Sequence, residues 1–385
     1  MIIYLVTFVL AILFFSLALS GSKTCSMSLQ YIRVKKHDSA YVYLCLLLSA
    51  SFPILLAAFR DDSVGTDLQT YGIIYWEMAC DSPSFFVYLI SLAGLGGTEI
   101  GYSILNWVVS CFTKDIHWFF FVHQSIVLFF LYAAIWKFRN KNSSVFVLLF
   151  YFLYAYNLSL SLLRQSIAIT IVLYGSTYLF SDGKKKWFYI CVVLATLFHN
   201  SSVFAFLIPA IKYISIRYSK KLVGVYAIVF IGTIGLIVFY QSIIGSFIAY
   251  GLLPVKYEMY LDQEGFSSHK INLLVESSIF VANFFLIPRK TRSVIFFNYV
   301  QLLAFVCILL EMVGGIVEIA FRVVMYLILV YCLYAHNISN CRAVVNRTLL
   351  FYCFAATVMF VYIYSQMGVI SSDTIPYTSA ILGIK

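Results

Sequence analysis

Residues 2–19 read IIYLVTFVLAILFFSLAL, eighteen positions without a charge. A helix rises about 1.5 Å per residue, so this stretch spans about 27 Å, close to the roughly 30 Å hydrocarbon core of a bilayer. No basic residue precedes it, so it lacks the charged region of a cleaved signal and reads as a retained span. The rest of the chain has the same character. Of 385 residues, 62% are hydrophobic and 11% are Asp, Glu, Lys or Arg, and mean hydropathy is +0.93. A soluble domain carries about 25% charged residues, so this chain cannot cover a water-soluble globule. That excludes a soluble enzyme, a disordered chain and a secreted disulfide scaffold. The expected fold is an all-α polytopic membrane protein, one integral membrane domain over residues 1–385.

Lys and Arg outnumber Asp and Glu by 26 to 16. In a soluble protein such an excess points to nucleic acid. Here basic residues gather in short loops as the positive-inside rule requires, and no nucleic acid is expected. Lys23, Arg33, Lys35 and Lys36 follow the first span; Lys137, Arg139 and Lys141 follow the third, near 116–136; Lys184, Lys185 and Lys186 follow the fifth, near 165–180. Placing these clusters in the cytoplasm puts the N-terminus outside. Residues 60–115 form a first large external loop, rich in Asp and Glu, with two apolar stretches at 85–95 and 102–112 suited to interfacial helices. A second external loop covers 244–270. The nine cysteines contain no C-x-x-C pair; Cys80 and Cys111 share the first loop, and spacing alone does not pair them.

Residues 187–211 break the alternation, because Lys212, Arg217, Lys220 and Lys221 follow an apolar run that starts in the cytoplasm. His199, Asn200, Ser201 and Ser202 interrupt that run. Two half-helices meeting there would form a re-entrant hairpin; one ordinary span with an orientation exception is the other reading. Non-helical backbone at membrane depth must be buried in protein or line a wet cavity, so the hairpin implies a cavity near His199. With it, the count comes to about ten spans plus one hairpin, within a range of about 10–12 membrane helices.

Ionisable groups within membrane segments are expensive, so each is a site hypothesis. Arg60 opens the first external loop, where a snorkelling anchor is the plain reading. Arg164 lies between two hydrophobic helices. His199 lies at the polar break, where a packed core histidine is the competing reading. Glu276 lies near a helix end and is read equally well as facing external water. Glu318 and Arg322, four apart, suit a structural ion pair. Arginine's planar fork matches phosphate, so arginines near the outer surface suit a lipid-linked phosphate or pyrophosphate.

Several short patterns resemble EpsG-type polysaccharide proteins. Arg60-Asp61-Asp62-Ser63-Val64-Gly65-Thr66-Asp67-Leu68-Gln69-Thr70-Tyr71 resembles their R-x-x-x-V-G-T-D-x-x-x-Y. Glu99, Gly101, Tyr102 and Asn106 resemble E-P-G-[FY]-x-x-L-N, with Ile100 in place of proline. Arg164-Gln165-Ser166-Ile167-Ala168 resembles R-Q-x-[IL]-A, and Phe198-His199-Asn200-Ser201-Ser202 resembles F-H-x-[ST]-[AS]. Arg322 precedes a span as a family arginine does, and Pro376-Tyr377 resembles a C-terminal P-Y. Arg164 to Gly175 also fits the R-x10-G pattern of Wzy-type O-antigen polymerases.

The resemblance implies a multi-span fold like lipid-dependent glycosyltransferases of the GT-C type, in a bacterial inner (cytoplasmic) membrane. It implies a polymerase that joins undecaprenyl-pyrophosphate-linked oligosaccharide units at the external membrane face. A flippase and a chain-length regulator of the same pathway are the implied partners, beside the bilayer itself. Arg164 and Arg322 would hold pyrophosphate, and His199 or Asp67 would take the acceptor proton. Arg60, Gly65, Thr66, Tyr71, Glu99 and Gln165 complete the expected substrate contacts. No D-x-D or His/Cys cluster suggests a metal, and no cofactor is expected. A lipid-linked sugar flippase, an O-antigen ligase and a membrane O-acyltransferase are the rivals. A flippase should show related halves around its site, and none is evident.

Overall fold

A computed structural model of the chain describes residues 1–22, 38–95, 97–139, 143–181, 183–250, 269–314, 318–365 and 374–384. Among these residues the regular structure is helical, with two isolated antiparallel bridges, Arg292 with Ser339 and Ser379 with Ile384. Six helices are long and apolar enough to cross a membrane: α1 (Ile2–Gly21), α2 (Ala40–Ala58), α6 (Ile116–Lys137), α12 (Leu222–Ala249, through its Leu222–Phe239 segment), α14 (Val294–Gly314) and α16 (Arg342–Ser365). The chain is therefore an all-α, multi-pass membrane protein.

One stretch expected as a continuous span is broken, and the stretch read either as a hairpin or as a single span is divided. The run at 144–162 divides into α7 (Ser143–Tyr154) and α8 (Tyr156–Ser161), and α9 (Leu163–Ser176) restarts after Leu162. The run at 187–211 divides into α10 (Lys186–Thr196), a 3-10 turn over Asn200–Phe206 and α11 (Leu207–Arg217). The stretch expected as the first external loop holds three helices, α3 (Ile73–Asp81), α4 (Phe85–Gly94) and α5 (Ile100–Ser110), the last two overlapping the two expected apolar stretches. Helix α12 continues to Ala249, past the expected start of the second external loop, and residues 251–268 of that loop lie outside the described residues.

The chain falls into two compact units, residues 1–203 with 356–385, and residues 204–355. The boundary at 203/204 parts α10 from α11. In the second unit α13 (His269–Leu286), α14, α15 (Glu318–Ala335) and part of α16 share a buried polar spine. Asn283 Nδ2 donates to Gln301 Oε1 at 2.6 Å, and Tyr352 Oη donates to Asn283 Oδ1 at 3.0 Å. Tyr331 Oη donates to Glu276 Oε2 at 2.8 Å. Glu276 is 0% exposed, which corrects the reading that faces it to external water. Such interhelical bonds hold membrane helices together where lipid supplies no hydrophobic drive.

The first unit has two chemically distinct ends. At one end Arg139 pairs with Asp38 at 3.2 Å, and Lys137 Nζ donates to Thr177 Oγ1 at 2.8 Å. The start of α2 and the ends of α6 and α9 therefore meet on the basic side. At the other end His117 Nδ1 donates to the Ala58 carbonyl at 2.8 Å, joining the end of α2 to the start of α6. Helix α10 starts at the basic side and runs antiparallel to α9, and their approach is close: a Cβ on Gly175 would lie 2.6 Å from Cys191 Cβ. That contact gives the R-x10-G spacing a packing meaning.

Depth follows from helix length. His123 Nε2 donates to the Leu163 carbonyl at 2.8 Å, so α9 begins level with His123. His123 is two turns into α6, which sets the start of α9 about 10 Å below the end of that long helix. The break at 162 is thus recessed from the start of α6, where irregular backbone needs polar partners from the protein.

Candidate functional site

The recess is built on the break between α8 and α9. Leu162 leaves the helical region at φ −86° and ψ 69°, which frees carbonyls that must find donors. Leu160 O accepts Arg60 Nη1 at 2.9 Å. Ser161 Oγ accepts the Thr66 N–H at 3.2 Å. Gly65 packs on the same turn with φ +116°, and a Cβ there would lie 2.6 Å from Leu160 O. Positive φ and backbone contact both demand glycine, so the V-G-T-D stretch is a clamp on the α8–α9 break. Arg164 is the second residue of α9, immediately after that break.

One carboxylate joins three distant segments. Glu99 Oε2 accepts Arg164 Nη1 at 2.6 Å and the Thr98 hydroxyl at 3.3 Å. Glu99 Oε1 faces His199 Nδ1 at 3.1 Å and the Asn200 N–H at 3.4 Å. An ionised carboxylate only accepts, so Nδ1 carries a proton, and in the neutral ring that leaves the lone pair on Nε2. His199 is 8% exposed, and its Nε2 is buried with no hydrogen-bond partner among the described residues. The Arg164 Nε is likewise buried without one. A base nitrogen held by a carboxylate through its other ring nitrogen, beside an arginine, is an arrangement suited to proton abstraction and anion stabilisation.

Glycine again sets the approach. The Gly101 N–H donates to the Leu197 carbonyl at 2.7 Å, and a Cβ on Gly101 would lie 2.7 Å from that oxygen. This contact docks the start of α5 on the end of α10, two residues before His199. Ile100 takes the first position of α5, where the proline of the resembled pattern would fit because that N–H has no helical partner. Gly101→Ala is expected to cost about 1–3 kcal/mol by forcing the two backbones apart. The thermal midpoint in detergent reads it, and Gly94→Ala, whose Cβ meets nothing within 4 Å, should leave that midpoint nearly unchanged.

Aromatic rings support Arg164 from its other side. Its guanidinium lies 4.3 Å from the Tyr71 ring centroid, a cation–π distance. Tyr71 stands edge-on to the fully buried Tyr102 at 6.4 Å, and Tyr102 packs on Phe119 at 5.9 Å. The Tyr71 hydroxyl donates to Asp67 Oδ2 across a π-helical turn, Leu68–Gly72. Such turns recur at functional sites because they re-aim side chains.

Charge is managed by these contacts. Burial by itself raises the Glu99 carboxyl, but the His199 hydrogen bond and the Arg164 charge outweigh it and hold it at about 2. A carboxylate that weakly basic orients its neighbours and is a poor proton acceptor. Arg60 is 1% exposed, and burial lowers it to about 10, so it stays charged near neutral pH.

The structure thus brings together Asp67, Tyr71, Glu99, Arg164 and His199, with Gly65 and Thr66 behind them. Gln165 is 3% exposed inside the packing of α9, and Arg60 faces inward. Arg322 belongs to the second unit and is half-buried on α15. Thr98 and His123 were not singled out from sequence, because neither stands out in its context. No group of three or more His, Cys, Asp or Glu suited to a metal occurs among the described residues.

A family model described as the EpsG family matches residues 40–379. No curated protein and no solved structure matches the chain. The match runs from the start of α2 to the C-terminal segment and contains every residue of the Glu99 cluster, so the chain belongs to the EpsG family.

Proposed function

We propose that this protein is a polysaccharide polymerase that joins oligosaccharide units carried on undecaprenyl pyrophosphate. The observation that carries the reading is the single carboxylate, Glu99, that holds both Arg164 and His199 while leaving His199 Nε2 buried and unpartnered. His199 Nε2 takes the proton from the acceptor sugar hydroxyl. The freed oxygen attacks the anomeric carbon of the donor chain, and the bond from that carbon to the pyrophosphate oxygen breaks. The leaving pyrophosphate departs with the electron pair, and Arg164 offsets its charge. Asp67 is the weaker choice of base, because its Oδ2 is engaged by the Tyr71 hydroxyl. The bacterial inner membrane, with the basic end of the first unit in the cytoplasm and the Glu99 cluster toward the outer face, is the proposed setting. A flippase that delivers the units and a chain-length regulator are the proposed partners.

Deletion of the gene tests the reading. Loss of a polymerase should leave single repeat units attached to the normal terminal acceptor at the cell surface. Absence of any unit at the surface would favour a flippase or ligase instead.

A further inference from the structure

Arg60 is the largest fully buried side chain in the first unit, and it is a cation. Desolvating a lone charge costs several kcal/mol unless the protein replaces the lost water. Among the described residues no carboxylate lies within ion-pair distance of it. Its compensation is neutral: the Leu160 carbonyl at 2.9 Å, the face of Phe120 with its centroid 4.5 Å from the guanidinium carbon, and the nearby rings of Tyr156, Tyr4, Tyr377 and Tyr102. Leu160 O is a carbonyl released by the α8–α9 break, and it is also the atom on which Gly65 rests.

The C-terminal segment holds the same loop from the other side. Tyr377 Oη donates to the Leu56 carbonyl at 2.8 Å near the end of α2. The Asp61 N–H donates to Thr378 O at 3.0 Å, and the Ala380 N–H donates to Asp61 Oδ1 at 2.7 Å. Ser379 Oγ donates to Phe59 O, and Tyr4 Oη donates to Thr374 O at 2.6 Å. The 59–66 loop is therefore tied through Phe59 and Asp61 to residues 374–380 and through Arg60 and Thr66 to residues 160–161. Arg164 begins the next turn.

From this geometry we propose that Arg60 is a positioning residue rather than a pyrophosphate ligand: with the C-terminal strap of residues 374–380 it clamps the α8–α9 break and so aims Arg164. The proposal rests on the polymerase reading only for its kinetic arm. A ligand arginine must reach substrate, whereas this side chain is 1% exposed, its Nη1 is bonded to the Leu160 carbonyl and its Nε is buried without a partner among the described residues. The clamp explains why the first and last signature segments, Arg60 to Tyr71 and Pro376-Tyr377, belong to one site although more than three hundred residues separate them.

The test uses the full-length protein in detergent or nanodiscs, with Arg60→Met, Arg60→Lys and Tyr377→Phe. Two readouts are taken: kcat and KM for a lipid-linked repeat unit, and amide hydrogen exchange over residues 160–166. Arg60→Met should lower kcat by about 10-fold or more with KM within about twofold, and should speed exchange in that segment. Arg60→Lys, which keeps a donor for Leu160 O, should recover most of both. Tyr377→Phe should shift both in the direction of Arg60→Met, by less. If Arg60→Met does not insert, the other two variants carry the same readouts. A KM raised by about 10-fold with unchanged exchange overturns the proposal and makes Arg60 a ligand. If the wild-type protein polymerises nothing and Arg60→Met still speeds exchange, the clamp stands and the polymerase reading falls.

Discussion

Replacing Glu99 by glutamine is expected to reduce polymer formation by about 100-fold or more. The shape of the side chain is kept, so the loss isolates charge and hydrogen-bond direction. Glu99 now accepts from His199 Nδ1 at 3.1 Å and from Arg164 at 2.6 Å. If the glutamine NH2 faces His199, it donates to Nδ1, which drives the ring proton to Nε2 and removes the lone pair from the nitrogen proposed as base. If its carbonyl faces His199, the NH2 faces the Arg164 guanidinium, and two donors oppose each other. Either orientation also leaves the largely buried Arg164 charge uncompensated, and breaking such a pair from one side is expected to cost about 3–5 kcal/mol at a buried site, less here because the Arg164 side chain is 21% exposed. Turnover of a lipid-linked unit and thermal midpoint are the two measurements. Glu99→Asp restores the charge and should recover part of both.

His199→Ala is expected to lower kcat by about 10²–10⁴-fold with little change in KM, the mark of a group that acts in the chemical step. It removes the base but leaves the Arg164–Glu99 pair, so stability should fall less than in Glu99→Gln. The pH dependence separates the two residues. Glu99 sits at about 2 in the folded protein against about 4.3 for a free glutamate. A carboxyl lowered by folding adds stability that is complete above the unfolded value and is lost as pH falls through the folded one. The cluster should therefore hold above about pH 4.3 and weaken toward pH 2, as followed by thermal midpoint against pH. Between pH 5 and 8 Glu99 remains ionised, and activity changes in that range originate at other groups.

The membrane fold was legible because charge is scarce, at 11% of residues, and its position could be read almost one residue at a time. The break at His199 was legible for the same reason: four polar residues interrupt an apolar run. The break at Leu162 was not. Residues 144–162 read as one apolar stretch, and Asn157, Ser159 and Ser161 are too small a signal against it. The interruption is held by long-range partners, the Arg60–Thr66 loop and His123, that a reading of the local stretch cannot see. Arg60 was misleading in isolation, since hydropathy assigns a charge to the surface and cannot see a cage of carbonyl and aromatic rings. Glu99 was one acid among several in the 60–115 loop. Its role depends on Arg164 and His199, 65 and 100 residues away, which meet it through helix packing. The glycines at 65 and 101 carry the geometry, because each permits a backbone contact that any side chain would block.

The most direct test of the account is elongation by the purified protein in a membrane mimic, given a repeat unit on a polyprenyl pyrophosphate and nothing else. The account predicts that the wild-type protein forms chains of two or more units and releases polyprenyl pyrophosphate, and that His199→Ala, folded and inserted, does so at no more than about one hundredth of that rate. Chains formed by His199→Ala at the wild-type rate, or no chains from a stable wild-type protein, would contradict it.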